Sequence, residues 1–163
     1  MAKTRIEWVK NTDGTQGYTI NPVKGLCPVG CSYCYARAMY KRFKWNPEIR
    51  YNSQWMNKLP STGTPSRIFI GSTMELFGDW IEPVWLQGII KIAWVWPWHT
   101  FIFLTKQPQN LIKWSPFPDN VWLGVSATNQ HQFDEAVEYL KEVEAPVKFI
   151  SFEPLLERIN IDL

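Results

Sequence analysis

Cysteine is scarce in this chain: three residues in 163, all confined to the stretch from Cys27 to Cys34. An odd number crowded so closely cannot staple a fold, which excludes a secreted disulfide framework and suits a reducing, cytoplasmic setting. Histidine is scarcer still, with only His99 and His131, and neither has a neighbour at ligand spacing. Long apolar runs are missing. The most apolar stretch, Ile89 to Phe103, is broken by Lys91, Pro97 and His99 and falls short of the ~20 residues needed to span a bilayer, so no membrane partner is expected. Met1 to Trp8 lacks the apolar core of a signal peptide, so no export is expected. Net charge is only +2, from 17 basic and 15 acidic residues. That balance permits a nucleic-acid partner without announcing one.

What is present is enough apolar material for a buried core, at 45% hydrophobic and 15% aromatic, in a length that fits one domain over residues 1–163. The stretch Gly25 to Arg37 spaces Cys27, Cys31 and Cys34 as C-x3-C-x2-C. Gly25, Pro28 and Gly30 favour a tight loop whose thiolates face inward. Soft sulfur donors select zinc, copper(I) or an iron–sulfur cluster over hard cations. A structural zinc site needs four protein ligands, and here the fourth would have to be His99 or His131. A cubane cluster held by three cysteines keeps one iron open to a small molecule.

The rest of the chain alternates between apolar runs and helical periodicity. Strands are expected at Tyr18 to Ile20, Arg67 to Gly71, Thr100 to Thr105, Asn120 to Ser126 and Val147 to Phe152. Helices are expected from Ser32 to Lys44, after Pro83 through Trp94, and from Gln130 to Val143, with a short helical segment at Gln109 to Trp114. Residues 45–66, rich in Pro and Gly, read as an irregular connection with at most one helical turn around Gln54 to Lys58. Strands that are apolar through most of their length and alternate with helices predict an α/β fold with a parallel sheet. About five strands make an open, partial (β/α) barrel rather than a closed one.

The cysteine spacing, with Tyr33 immediately before the last cysteine, resembles the cluster loop of the radical S-adenosylmethionine (SAM) superfamily. Together with Cys-Tyr-Ala-Arg at 34–37, Phe-Leu-Thr-Lys at 103–106, Trp-Leu-Gly-Val-Ser at 122–126 and Ser-Phe-Glu-Pro-Leu-Leu at 151–156, it resembles the phage Gp37/Gp68-like family of radical-SAM-like proteins. Many relatives there have a longer gap between the first two cysteines. The resemblance implies a [4Fe–4S] cluster on Cys27, Cys31 and Cys34 whose unique iron chelates SAM. An external electron donor would then drive reductive cleavage to a 5′-deoxyadenosyl radical. It implies that Tyr33 lies beside the adenine, that Gly71, Ser72 and Thr73 receive the methionine amine, and that Ser126 contacts ribose or carboxylate. Lys106 and Glu153 are the candidate catalytic residues, for the carboxylate and for substrate. Substrate and reaction are not implied.

Each assignment has a plainer rival. Ser72, Thr73 and Ser126 could cap helices, Glu75 and Glu153 could be solvated carboxylates, and Lys106 could be a rim lysine. Glu153, set directly after a buried apolar strand and before Pro154, is poorly placed for simple solvation, which favours function there. A second reading is a non-catalytic cluster or zinc protein that binds nucleic acid or a phage or host protein. Nucleic-acid contact would then fall on Trp45, Trp55 and Trp114 with Arg37, Lys41, Arg42 and Lys44, whereas Trp94, Trp96, Trp98 and Trp122 are expected to serve core contacts. A partial barrel of this family would continue past Leu163. The exposed edge of the fifth strand therefore predicts homo-oligomeric association or cover by the N-terminal segment.

Overall fold

Short runs of β-branched and aromatic residues without interior proline make the longer strands, and proline or glycine marks several of their ends. In the computed structural model, which describes residues 1–59 and 64–161, the order is β1 (Ala2–Lys3), β2 (Tyr18–Ile20), β3 (Val23–Lys24), α1 (Tyr35–Phe43), β4 (Arg50–Tyr51) and β5 (Arg67–Ile70). Then follow α2 (Pro83–Val95), β6 (Thr100–Thr105), β7 (Val121–Ser126), α3 (Gln130–Glu142) and β8 (Val147–Ser151). The fold is mixed α/β. Its main sheet has six strands in the order β1-β2-β5-β6-β7-β8. The five strands from β2 to β8 are parallel and add one beside the next in chain order, with Ile20 opposite Ile70, Ile70 opposite Phe103, and Ser126 opposite Ser151. Their carboxyl ends therefore share one rim.

The sixth strand was not expected. β1 pairs antiparallel with β2, Ala2 opposite Thr19, so the N-terminal segment covers the first parallel strand and not the fifth. Among the described residues β8 is an edge, flanked by an apolar hollow of about 400 Å³ that includes Phe133, Val137, Phe149 and Phe152. The helical turn expected around Gln54 to Lys58 is a 3₁₀ segment from Ser53 to Lys58, and the connection 45–66 is more ordered than its composition predicts at β4, which pairs antiparallel with β3. Pro60 and Gly63 of that connection, and Asp162 and Leu163 at the chain end, lie outside the described residues.

The sheet buries both faces. On one, Ile68, Ile70, Phe101, Phe103, Leu123 and Val125 meet Leu86, Ile89, Ile90 and Ala93 of α2 and Ala136 and Leu140 of α3. Each such side chain contributes about 1.5–3 kcal/mol when fully buried. On the other, Phe69, Ile102, Leu104, Trp122 and Phe149 are closed over by Ile6, Trp8 and Val9 of a 3₁₀ turn, with Trp8 edge-on to Phe69 at 4.9 Å. Several tryptophans depart from expectation. Trp55, expected in a loop, is 1% exposed in the core with its indole N–H donating to the Tyr51 hydroxyl at 2.9 Å. Trp94 and Trp98, expected in the core, are exposed, because the buried stripe of α2 runs through Leu86, Ile89, Ile90 and Ala93 and leaves Trp94 outside it. Among the described residues no helix is long and apolar enough to cross a membrane.

Candidate functional site

The rim formed by the carboxyl ends of the parallel strands is where loops converge in sheets of this kind. The cysteine loop follows β3 and is held at its start. Gly25 donates its N–H to the Tyr40 hydroxyl at 2.8 Å, and Leu26 donates to the Pro47 carbonyl at 2.8 Å. Gly25 sits at φ 130°, and an added Cβ would fall 2.6 Å from the Glu48 carbonyl oxygen, so glycine lets the loop lie against the approach to β4. Across the loop, the Arg37 guanidinium donates to the Cys27 carbonyl at 2.7 Å.

α1 begins later than its periodicity predicts, at Tyr35, because Cys34 is its N-cap and the thiol accepts the Arg37 N–H at 3.5 Å. Cys31 occupies the preceding turn, its carbonyl accepting the Cys34 N–H at 3.2 Å. Cys31 and Cys34 thus sit in the turn that leads into α1. Burial pushes the Cys27 thiol up, while the backbone N–H groups of Glu75 and Val29 pull against it by favouring the thiolate.

All three cysteines line one cavity of about 130 Å³. Gly71, Ser72, Thr73, Lys106 and Ser126 line the same cavity, as do Phe69, Met74, Glu75 and Leu104. Four elements far apart in sequence therefore meet there. Among the described residues no three His, Cys, Asp or Glu side chains surround a single ion-sized point. A cubane does not require that, since each thiolate binds a different iron. The donor set is three soft sulfurs around one hollow, which fits a cluster.

The turn after β5 is built by Gly71 at φ 84°, where a Cβ would lie 2.7 Å from Leu76 Cδ1. Asn21 holds it: its side-chain amide donates to Ser72 Oγ at 3.2 Å, and its Oδ1 accepts the Thr73 N–H at 3.1 Å. Tyr35 donates its hydroxyl to the Ser72 carbonyl at 3.1 Å. No helix starts at this turn, and the N-cap of α3 is Asn129, so Ser72, Thr73 and Ser126 are not helix caps.

Glu75 is not the solvated carboxylate that its plainer rival allowed. Glu75 is buried, and its carboxylate accepts the Thr105 hydroxyl at 2.7 Å and the N–H groups of Lys106 at 2.6 Å and Phe77 at 3.0 Å. Its pKa is raised by that burial, with the three donors opposing. Glu153 is exposed and does not line the cavity. Burial pushes the Lys106 ammonium down, and the nearby Cys31, Glu75, Cys34 and Cys27 charges pull it back up. The same ammonium lies 5.6 Å above the Tyr33 ring. The Tyr33 hydroxyl is pushed up to about 12 by partial burial, then by its hydrogen bond and proximity to Cys31. Tyr33 therefore flanks the cavity at Lys106 without lining it.

His99 is buried at the amino end of β6 and accepts the Ser66 N–H, a strand's length of roughly 20 Å from the rim. His131 is on the outside of α3, 3.9 Å from Glu135. Neither histidine lines the thiol cavity. Asn21 and Tyr35 escaped the sequence reading. Asn21 is detectable by the rule that picked Gly71, since it directly follows a parallel strand; nothing in the local sequence marks Tyr35. No curated protein and no solved structure matches this chain. The family model described as protein of unknown function (DUF5131) matches residues 3–163, and the chain belongs to that family.

Proposed function

We propose that the chain is a radical SAM enzyme that carries a [4Fe–4S] cluster on Cys27, Cys31 and Cys34. The observation that carries this reading is the shared cavity. Three thiols from one loop, the Gly71–Thr73 turn, Lys106 and Ser126 come from successive strand ends and line the same space. A structural zinc loop would not need those later elements. Sequential parallel strands with α2 and α3 on one face support a partial (β/α) barrel of the radical SAM type.

Cys27, Cys31 and Cys34 would hold the cluster, and the chemistry it would supply, once reduced by an external donor, is one electron for the sulfonium of SAM. The chain's own residues bind and orient. The N–H groups of Glu75 and Val29 favour the Cys27 thiolate. Asn21 and Tyr35 fix the Ser72–Thr73 turn that would receive the SAM ammonium. Lys106, held at its backbone by Glu75, offers the cationic partner for the carboxylate, with Ser126 beside it. Phe69, Met74 and Leu104 line the cavity with apolar surface and limit water there.

Anaerobic loading with iron and sulfide, then reduction in the presence of SAM, tests the reading. Release of methionine and 5′-deoxyadenosine is the expected result. A protein that retains zinc, takes up no cluster and has no affinity for SAM would instead be a metal-bound binding protein.

A further inference from the structure

The near-neutral net charge conceals a division along the chain. Between Gly14 and Met74 there are eight basic residues and one acidic residue, Glu48, whereas from Glu75 onward there are six basic and twelve acidic. The fold places six of those eight, Lys24, Arg37, Lys41, Arg42, Lys44 and Arg50, on α1, its C-cap and the β3–β4 ribbon. Lys24 and Arg50 are register partners across that ribbon, and both line a cavity of about 410 Å³ with Tyr35, Tyr40, Trp45 and Asn46. Among the described residues Lys24, Lys41, Arg42, Lys44 and Arg50 make no ion pair within 4 Å. Cations in the last turn of α1 would answer its dipole in any protein. Lys24 and Arg50 have no such explanation, because neither belongs to a helix; Arg50 donates through Nη1 to the Asn46 and Glu48 carbonyls at 3.3 Å each, which orients its guanidinium without neutralising the charge.

Aromatic faces accompany the charge. Trp45, 46% exposed, stacks on Phe43 at 5.4 Å and 22°, and Phe43 is itself 50% exposed. The Arg42 guanidinium lies 5.2 Å over Phe43. Exposed stacked rings beside unpaired cations form the combination that holds single-stranded nucleic acid, with bases on π-faces and phosphates on Lys and Arg. The cavity is of ligand size, whereas a duplex keeps its bases stacked inside. It also shares Ala36 and Thr73 with the thiol cavity, so the two meet across the first turn of α1.

We infer that this cavity takes one nucleotide of a single-stranded nucleic acid, its base on Trp45 and its flanking phosphates on Lys24 and Arg50, and presents it toward the thiol cavity. As a substrate assignment this rests on the proposed function; binding itself does not. The test is fluorescence anisotropy with the metal-free chain of residues 1–163 and a labelled mixed-sequence oligonucleotide of about 15 nucleotides, single-stranded or duplex. Single strands should bind at least roughly tenfold more tightly than duplex. Lys24→Gln with Arg50→Gln should weaken binding by tenfold or more and flatten the salt dependence by about 0.7 per lost phosphate contact. Trp45→Ala should cost roughly tenfold without changing that slope. Lys141→Gln, on the acidic half, should change nothing. Absence of single-strand binding, equal binding of duplex, or equal binding of poly-glutamate unaffected by Trp45→Ala would overturn the inference. If the oligonucleotide binds but the reconstituted protein leaves SAM intact, the inference stands and the proposed function falls.

Discussion

Glu75 accepts the backbone N–H of Lys106 at 2.6 Å, tying the turn after β5 to the end of β6 from a fully buried carboxylate. The same group takes Thr105 and Phe77 through its other oxygen. Glutamine cannot copy this arrangement, since one end of its amide would turn N–H against N–H. Glu75→Gln should therefore lower stability by about 1–3 kcal/mol, the cost of one unsatisfied buried donor. Chemical denaturation reads it as a lower midpoint at unchanged slope. A midpoint equal to wild type would show that the carboxylate is not a structural tie.

Single alanine substitutions of Cys27, Cys31 and Cys34 should each remove most of the iron and sulfide the wild type takes up on reconstitution. Cys34→Ser separates cap from ligand. Its hydroxyl can still cap α1, so helicity should match wild type while iron is lost. Iron analysis with circular dichroism checks both, and a Cys34→Ser protein with full iron content would count against thiolate ligation.

Asn21 is a positioning residue for the Ser72–Thr73 turn. Asn21→Ala removes the hydrogen bonds to the Ser72 hydroxyl and the Thr73 N–H, about 1 kcal/mol each, and should weaken SAM binding roughly tenfold while leaving iron content unchanged. Asn21→Asp keeps the acceptor for the Thr73 N–H and should recover part of the affinity. Equilibrium dialysis with the loaded protein measures it, and iron loss in parallel with SAM affinity would point to a general structural role instead.

Gly71→Ala should destabilise by about 1–3 kcal/mol, because alanine is strained at φ 84° and its Cβ would crowd Leu76 Cδ1 at 2.7 Å. Gly14→Ala makes the matched comparison. It shares a positive φ of 82° with nothing within 4 Å, so it should cost less. Equal losses at the two sites would remove the crowding argument.

The five parallel strands were legible because β-branched and aromatic runs such as Thr100 to Thr105 leave little choice of structure or burial. β1 was not, since two exposed residues carry no periodicity and only the neighbouring β2 makes Ala2–Lys3 a strand. Trp55 and Trp94 changed places for a related reason. Local composition put one in a loop and one in a helix, but burial is decided by which face meets the sheet. The site was half legible. Cysteine spacing and strand ends found most of the cavity, while Glu75 and Glu153 look alike in sequence and differ in whether a neighbouring strand end offers buried donors. Net charge concealed the basic surface because the acidic half of the chain offsets it.

The account depends most on an iron corner left open by three thiolates and able to take SAM. Electron paramagnetic resonance of the reduced, reconstituted protein, recorded with and without SAM, tests it most directly. The account predicts a cluster signal that changes on adding SAM and is lost in Cys31→Ala. A cluster signal indifferent to saturating SAM, or a wild-type chain that forms no cluster at all, would contradict it.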